Sequence, residues 1–232
     1  MLYYDFHIHS VLSPCGDKDM TPNNIVNMAA LCGLNAIAIS DHNSIGNVEA
    51  CMKVGKNCGV NVIAGMEIET AEEIHILTLY PSLDAAKEAY QTVYTSLPDI
   101  KNRPDIFGEQ YYMDDNDEVV GMEEKLLISP TTLSIEEVFD MVQSLNGLFI
   151  PAHVDRHSYS ILTNLGFIPD NMDIRNIEIS HKVTDVDAYL ESRPDLKKYS
   201  IFRNSDAHYL EDLTQEHAFL DIDSANEIFR NR

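Results

Sequence analysis

The chain has 232 residues, of which 44% are hydrophobic, and its 16 basic and 38 acidic residues give a formal net charge of −22. This composition supports a full core and excludes fibrous, collagen-like and disordered proteins, and no apolar run reaches the roughly 18 residues of a membrane span. The charge disfavours a long nucleic acid as partner, whereas a small anionic substrate remains compatible, because bound metal cations dominate the local field of a site.

The cysteines and the start of the chain bear on the compartment. Four cysteines are present without a C-x-x-C pair, and the first residues do not form a basic and then apolar leader. We therefore expect a reduced, cytoplasmic protein that does not bind membranes. The number of chains in the assembly is left open.

The first part of the chain predicts alternating strands and helices. Apolar runs predict strands at residues 2–8, 36–39, 60–64 and 74–80, and helical patterns cover residues 21–33, 48–57 and 83–97. Thr21 is the expected N-cap of the first helix, with Pro22 at its first position and Gly33 at its end. Strands that alternate with helices predict a parallel sheet.

Residues 98–130 interrupt this regularity. They contain the acidic cluster 114–118 and show no hydrophobic period. We interpret them as a long loop or small insertion, of the kind that often serves as a lid, within a single domain spanning residues 1–232.

Regular elements resume at Ser134, which forms a predicted capping box with Glu137 at the start of a helix that ends near Gly147. Strands are predicted at residues 148–152, 174–179, 200–203 and 218–222, and helices at residues 185–191 and 211–215. The whole pattern predicts an α/β fold, and the length suits an α/β barrel.

Histidines and carboxylates recur where the predicted strands end. They are His7, His9, Asp41, His42, Glu67, His75, His153, Asp206 and His208. In a parallel barrel the carboxyl ends of all strands open onto one face, so these side chains are expected to converge.

Two pairs in this set share a spacing of two residues. His7 and His9 lie on the same side of a strand and can bind one ion. Asp206 and His208 combine an oxygen with a nitrogen ligand, which suits zinc, manganese or iron. Each pair alone is a weak signal, and the recurrence at other strand ends is what points to a metal site.

Five segments in order resemble the successive motifs of the polymerase and histidinol phosphatase (PHP) family. They are DFHIHS at residues 5–10, SDHNS at 40–44, GME at 65–67, PAH at 151–153 and SDAH at 205–208. The resemblance spans nearly the whole chain. It implies a distorted (β/α) barrel, a metal-dependent phosphoesterase activity and a centre of two or three divalent ions.

The resemblance also implies ligands. It places His7, His9, Glu67 and Asp206 around one ion, with Glu67 bridging to a second ion held by His75 and His153. A third ion would be held by Asp17, His42 and His208, with Asp19 and Cys15 as rivals of Asp17.

A metal-bound water is the expected nucleophile. Asp206 is also predicted to be a catalytic residue. His208 or His157 would protonate the leaving group. Arg156, Lys182 and His181 are candidate substrate contacts, since arginine suits a bidentate grip on phosphate, although an ion pair between Arg156 and Asp155 is an alternative.

The expected substrate is a small phosphorylated metabolite, with a nucleotide ahead of histidinol phosphate. Two alternatives are weighed beside it. A metal-dependent amidohydrolase would place a bridging lysine at a later strand end, where this chain has none. A non-catalytic metal-binding regulatory module would keep the fold without turnover.

Overall fold

A computed structural model describes residues 1–214 and 218–220 of the chain. Ten strands are described, and they are β1 (Leu2–Ile8), β2 (Ala36–Ile39), β3 (Asn61–Glu69), β4 (His75–Tyr80), β5 (Tyr111–Met113), β6 (Val119–Met122), β7 (Leu148–Pro151), β8 (Asn176–Glu178), β9 (Ser200–Phe202) and β10 (Ala218–Leu220). Six of them form the main sheet, in the order β10-β1-β2-β3-β4-β7. The last two positions of the strand predicted at 218–222 lie outside the described residues.

The described helices include those predicted in the first half, after Ser134 and near 185–191, together with two short helices at 104–107 and 161–164, which were not predicted. They are α1 (Pro22–Leu31), α2 (Val48–Cys58), α3 (Leu83–Ser96), α4 (Pro104–Phe107), α5 (Ile135–Ser144), α6 (Ile161–Asn164) and α7 (Val186–Ser192), with 3₁₀ turns at Pro194–Leu196 and Leu210–Thr214. The capping box of Ser134 and Glu137 is confirmed at the start of α5. The helix predicted at 211–215 is a 3₁₀ turn, and its last residue is outside the described part. Within that part, no helix is long and apolar enough to cross a membrane.

The prediction that His75 lies at the carboxyl end of a parallel strand is wrong. β1, β2 and β3 are parallel, but β4 is antiparallel to β3. The reason is the short link at residues 70–74, because a parallel connection needs a crossover of a dozen or more residues. His75 is therefore at the start of β4 and not at its carboxyl end. It still reaches the common edge, because β4 runs in the opposite direction.

The sheet curls toward closure through the separate parallel pair β8–β9. The Val154 amide, after β7, donates to the Glu178 carbonyl on β8 at 2.9 Å. On the other side, the His9 amide at the end of β1 donates to the Ala207 carbonyl, after β9, at 2.9 Å. These links bring the carboxyl ends of β1, β7 and β9 to one rim of a distorted barrel.

Apolar side chains fill both faces of this sheet. Tyr4, Phe6, Leu77, Ile150 and Phe202 belong to a cluster contributed by strands, which lies inside the curl. Ile8 instead packs in the larger cluster that includes the helices. The change of face between Phe6 and Ile8 coincides with a register shift in the β1–β2 ladder between Asp5 and Ile8.

Residues 98–130 contain α4 and the β5–β6 hairpin, and their role as an insertion stays a prediction. The acidic hairpin turn contacts the start of α1. The Thr21 hydroxyl donates to one carboxylate oxygen of Asp117 at 2.6 Å, and the Asn23 amide donates to the other at 2.9 Å. The Asp117 carboxylate thus satisfies free donors at the helix N-terminus.

Candidate metal centre

Glu67 lies at the centre of a group of imidazoles on the barrel rim. Its carboxylate oxygens approach ring nitrogens at 3.0–3.4 Å from His7, His9, His42, His75 and His153. Glu67 is 1% exposed, so this carboxylate is removed from solvent. Glu69, two residues further along the same strand, approaches His75 at 3.8 Å.

Asp206 faces the same group from the segment after β9. Its Oδ1 atom is 3.3 Å from His7 Nε2 and 3.1 Å from His9 Nε2. Asp206 has a φ of 54° and His153 a φ of 31°, in the region that non-glycine residues rarely adopt. Such strain at two convergent side chains is typical of a functional site.

The potential ligand atoms form three overlapping clusters, each with atoms within 4.8 Å of one another. The clusters are His7, His9, Glu67 and Asp206; His42, Glu67 and His75; and His9, Cys15, His42 and His208. His7 Nε2 and His42 Nδ1 are buried and make no hydrogen bond within the described structure. Buried nitrogens of this kind need a partner, and a divalent cation fits this donor set.

Electrostatics keep the central carboxylates in the form that binds metal. Burial acts to raise the pKa of Glu67, but the His75 and His7 imidazoles outweigh it and hold this pKa well below its usual range. The pKa of Asp206 is likewise low, because His7 and His9 outweigh burial. Both side chains are therefore anionic ligands at neutral pH.

Further hydrogen bonds orient the rings of His7 and His9. His7 Nδ1 is 2.9 Å from Glu178 Oε2, and His9 Nδ1 is 3.1 Å from Ser13 Oγ. The Ser13 hydroxyl in turn donates to Asp41 at 2.7 Å. These contacts hold Nδ1 of each ring, so that Nε2 faces the centre. Histidines that bind metals usually have such a hydrogen bond at their other ring nitrogen.

Sequence reasoning missed Glu178. It is fully buried at the end of β8, next to the buried Ile177. A buried glutamate is costly unless it is paired, and this was the signal that could have identified it. The described Asn204 amide also donates to its Oε2 at 2.9 Å.

Asp17, the predicted ligand of the third ion, lies in the loop that also carries Asp19 and Cys15. Its carboxylate accepts a hydrogen bond from the Asp19 amide at 2.9 Å, and neither aspartate belongs to the three clusters found among the described residues. The cluster with His42 and His208 contains Cys15, the other rival noted from the sequence.

Four residues outside the ligand set are predicted to contact the substrate or to transfer a proton. Arg156 Nη1 is 2.6 Å from Asp206 Oδ2, so it contacts the centre directly. Its predicted alternative partner, Asp155, instead accepts from the Ser180 amide and hydroxyl. The remaining three, His157, His181 and Lys182, belong to none of the three clusters of described ligand atoms, and His157 and Lys182 are exposed.

Comparisons with known proteins agree with this geometry. The PHP domain model matches residues 5–161, more than half of the chain. A 5'-3' exoribonuclease of Haemophilus influenzae is 35% identical over 79 residues, covering 33% of this chain and 28% of the relative. A phosphoribosyl 1,2-cyclic phosphate 1,2-diphosphodiesterase of Eggerthella lenta is 30% identical over 80 residues, covering 32% and 29%. The chain thus spans less than a third of each relative in these alignments.

A solved structure extends the similarity to the whole fold. The lesion-specific endonuclease EndoQ of Pyrococcus furiosus matches with a TM-score of 0.71 and 19% identity, over 99% of this chain and 56% of that one. The predicted distorted α/β barrel of PHP type is thereby confirmed. With the family model matching most of the motif-bearing residues, the chain belongs to the PHP domain family of metal-dependent phosphoesterases.

Proposed function

We propose that the chain hydrolyses a small phosphorylated metabolite, with a nucleotide ahead of histidinol phosphate, using two or three divalent ions of zinc, manganese or iron. The contact of Glu67 with five imidazoles, opposite the Asp206 carboxylate, is the observation that carries this proposal. A cluster of this composition suits metal-assisted hydrolysis.

Each part of the centre has a proposed role. His7, His9, Glu67 and Asp206 would hold one ion, Glu67 with His75 and His153 a second, and His42 and His208 would contribute to a third. When bound, such ions lower the pKa of a water molecule and neutralise charge on the phosphoryl oxygens. The buried Glu67 and Asp206 carboxylates keep the rings around them fixed for this task.

Arg156 and His208 are the proposed groups that act on the substrate. The Arg156 side chain is 29% exposed. It can donate hydrogen bonds from its remaining N–H groups to a phosphate while it stays paired with Asp206. His208 is half-buried, and burial together with nearby His9 lowers its pKa to about 4. With Nε2 free of metal, a neutral His208 could pass a proton to the leaving group, whereas as a ligand of the third ion it would leave this step to His157.

The charge of the molecule supports a small substrate. A net charge of −22 repels a long polyanion, and Arg156 is the cation that the described residues place against the centre. Two of the matched proteins, an exoribonuclease and an endonuclease, are named for the cleavage of nucleic acids. The matched diphosphodiesterase is named for a small cyclic phosphate. The four cysteines are free, which fits our proposal of a cytoplasmic location.

The test is phosphate release from a panel of nucleoside mono- and bisphosphates, histidinol phosphate, sugar phosphates and a short oligonucleotide. The protein would be reconstituted with zinc, manganese or iron. We expect chelator-sensitive turnover of one class of small substrate, abolished in His9→Ala and Asp206→Ala. Asp173→Ala, which removes an exposed carboxylate bonded to Arg175, is the matched control and should retain activity.

Other results would contradict specific parts of the proposal. Preferred cleavage of the oligonucleotide would overturn the small substrate. Bound metal without turnover of any member of the panel would favour the non-catalytic regulatory module. Full activity in Asp206→Ala would overturn the assigned centre.

A further inference from the structure

Cys15 lies beside three histidines at the outer side of the centre. Its sulfur and one ring nitrogen each from His9, His42 and His208 all lie within 4.8 Å of one another. None of the four is a carboxylate, whereas each of the other two clusters contains Glu67. The third cluster therefore offers only nitrogen and sulfur atoms, whereas the two beside it also offer carboxylate oxygens.

The loop that carries Cys15 is fixed by backbone hydrogen bonds. The Gly16 amide donates to the Ser13 carbonyl at 2.8 Å, and the Asp17 amide donates to the His208 carbonyl at 2.8 Å. A Cβ atom on Gly16 would collide with the carbonyl oxygen of Ser10, so the close turn requires glycine. The loop thus attaches Cys15 directly to the segment that provides His208.

The ring of His208 is oriented for coordination. Its Nδ1 atom is 2.7 Å from the Asp206 carbonyl oxygen. Because a carbonyl oxygen accepts only, Nδ1 must carry the proton, and Nε2 is left with the lone pair that a metal needs. The Ser13 hydroxyl similarly occupies Nδ1 of His9 at 3.1 Å. His208 therefore has one ring nitrogen engaged and the other available, whereas His9 Nε2 lies 3.1 Å from Asp206 Oδ1.

We infer that the Cys15 thiolate is a ligand of the third ion, together with His42 and His208, and that it makes this position selective for zinc or iron(II) over manganese or magnesium. The inference deepens the proposed function and rests on it for the presence of metal at the centre. The reason for the selectivity is that thiolate and imidazole are ligands that suit zinc and iron, whereas manganese and magnesium prefer carboxylate, carbonyl and water oxygens.

Cobalt(II) spectroscopy tests the sulfur ligand without depending on activity. Metal-free protein titrated with cobalt(II) should develop a thiolate-to-cobalt charge-transfer band in the near ultraviolet, together with visible ligand-field bands. Cys15→Ser should lose the charge-transfer band and keep ligand-field bands from the Glu67 positions. Cys58→Ser, which changes a half-buried cysteine bonded to Asn27, is the matched control and should keep both.

Thiol protection gives a second measurement on the unmodified chain. Cys15 is exposed, so iodoacetamide can reach its sulfur in the metal-free protein. Bound zinc should slow this alkylation at least about tenfold, since the thiolate is the nucleophile and coordination occupies it. Cys32, which is partly buried, serves as the internal reference in the same mass-spectrometric digest and should react at an unchanged rate.

The possible outcomes separate this inference from the proposed function. Ligand-field bands without a charge-transfer band in the unmodified protein would overturn the thiolate ligand and leave the Glu67 centre intact. A charge-transfer band that persists in Cys15→Ser would likewise overturn the Cys15 thiolate as a ligand. Failure to bind cobalt, zinc or manganese at all would overturn both the inference and the proposed metal-dependent function.

Discussion

The Nδ1 atom of His7 lies 2.9 Å from Oε2 of Glu178, and both side chains are completely buried. His7 approaches Glu67 and Asp206 with its other nitrogen. Glu178 thus fixes the orientation of a ring that contacts both central carboxylates. A carboxylate behind a metal-binding histidine also strengthens that histidine as a ligand.

Replacement of Glu178 by glutamine should weaken metal binding by about 10- to 100-fold, because the amide retains the shape but loses the charge that supports His7. The measurement is a zinc competition assay against a chelator of known affinity. Glu191→Gln, an exposed site on α7, is the control and should bind as the unmodified chain does. An unchanged affinity in Glu178→Gln would argue against His7 as a ligand.

Metal uptake should depend on pH through His75. Burial acts to lower the pKa of this imidazole, but Glu67 and Glu69 outweigh it and raise the pKa to about 9 in the metal-free protein. A protonated ring cannot bind metal, so the apparent affinity should increase about tenfold per pH unit for each proton displaced, up to pH about 9. Calorimetry in buffers of different ionisation enthalpy would count the protons released. Binding that is flat between pH 6 and 8 would contradict this.

The same ring affects the stability of the metal-free fold. Because its folded pKa lies above the unfolded value of about 6.5, His75 stabilises the fold fully below that value, and the contribution is lost as the pH rises through about 9. The free energy of unfolding of metal-free protein, measured in urea across this range, should therefore fall more in the unmodified chain than in His75→Gln.

Arg156→Ala should lower kcat/KM for the preferred phosphorylated substrate by about 10- to 100-fold, since a hydrogen bond to a charged group contributes about 1.5–3 kcal/mol. The metal content, measured in parallel, should stay unchanged. Arg175→Ala removes an arginine whose described partner is the exposed Asp173, and it should behave as the unmodified enzyme. Equal losses in the two variants would refute a phosphate contact of Arg156.

The hairpin of residues 111–122 should contribute to stability through Asp117. Replacement by alanine removes hydrogen bonds to Thr21 and Asn23 at the start of α1, at a cost of about 0.5–2 kcal/mol in the free energy of unfolding. Urea unfolding measures this difference. Glu118→Ala, at the adjacent exposed position, should change stability by less than about 0.5 kcal/mol. Equal effects would show that the cap contributes nothing specific.

Local patterns in the sequence predicted most elements well. The run at β1, the Thr21 and Pro22 start of α1 and the Ser134 capping box each depend on neighbouring residues alone, and the structure has all three. The direction of β4 was not predicted, because an apolar run reads the same in a parallel and an antiparallel strand. The short link at residues 70–74 was the available signal.

The candidate site shows the same limit. Motif order brought together the histidines and carboxylates around Glu67, since strand ends converge in any barrel of this kind. The choice between Asp17 and Cys15 could not be made in this way, because the two lie two residues apart in one loop and its hydrogen bonds decide which side chain faces the centre. Glu178 escaped notice because its partner, His7, is 171 residues away.

That long separation has a consequence for the whole chain. His9 and Asp206, 197 residues apart, meet at a distance of 3.1 Å in the same centre. An ion shared by these residues closes a loop that includes nearly the entire barrel, and the entropic cost of closing a loop grows only slowly with its length. Bound metal would therefore link β1 to the segment after β9, so that removal of the ion by a chelator would lower the stability of the fold and abolish metal-dependent activity together.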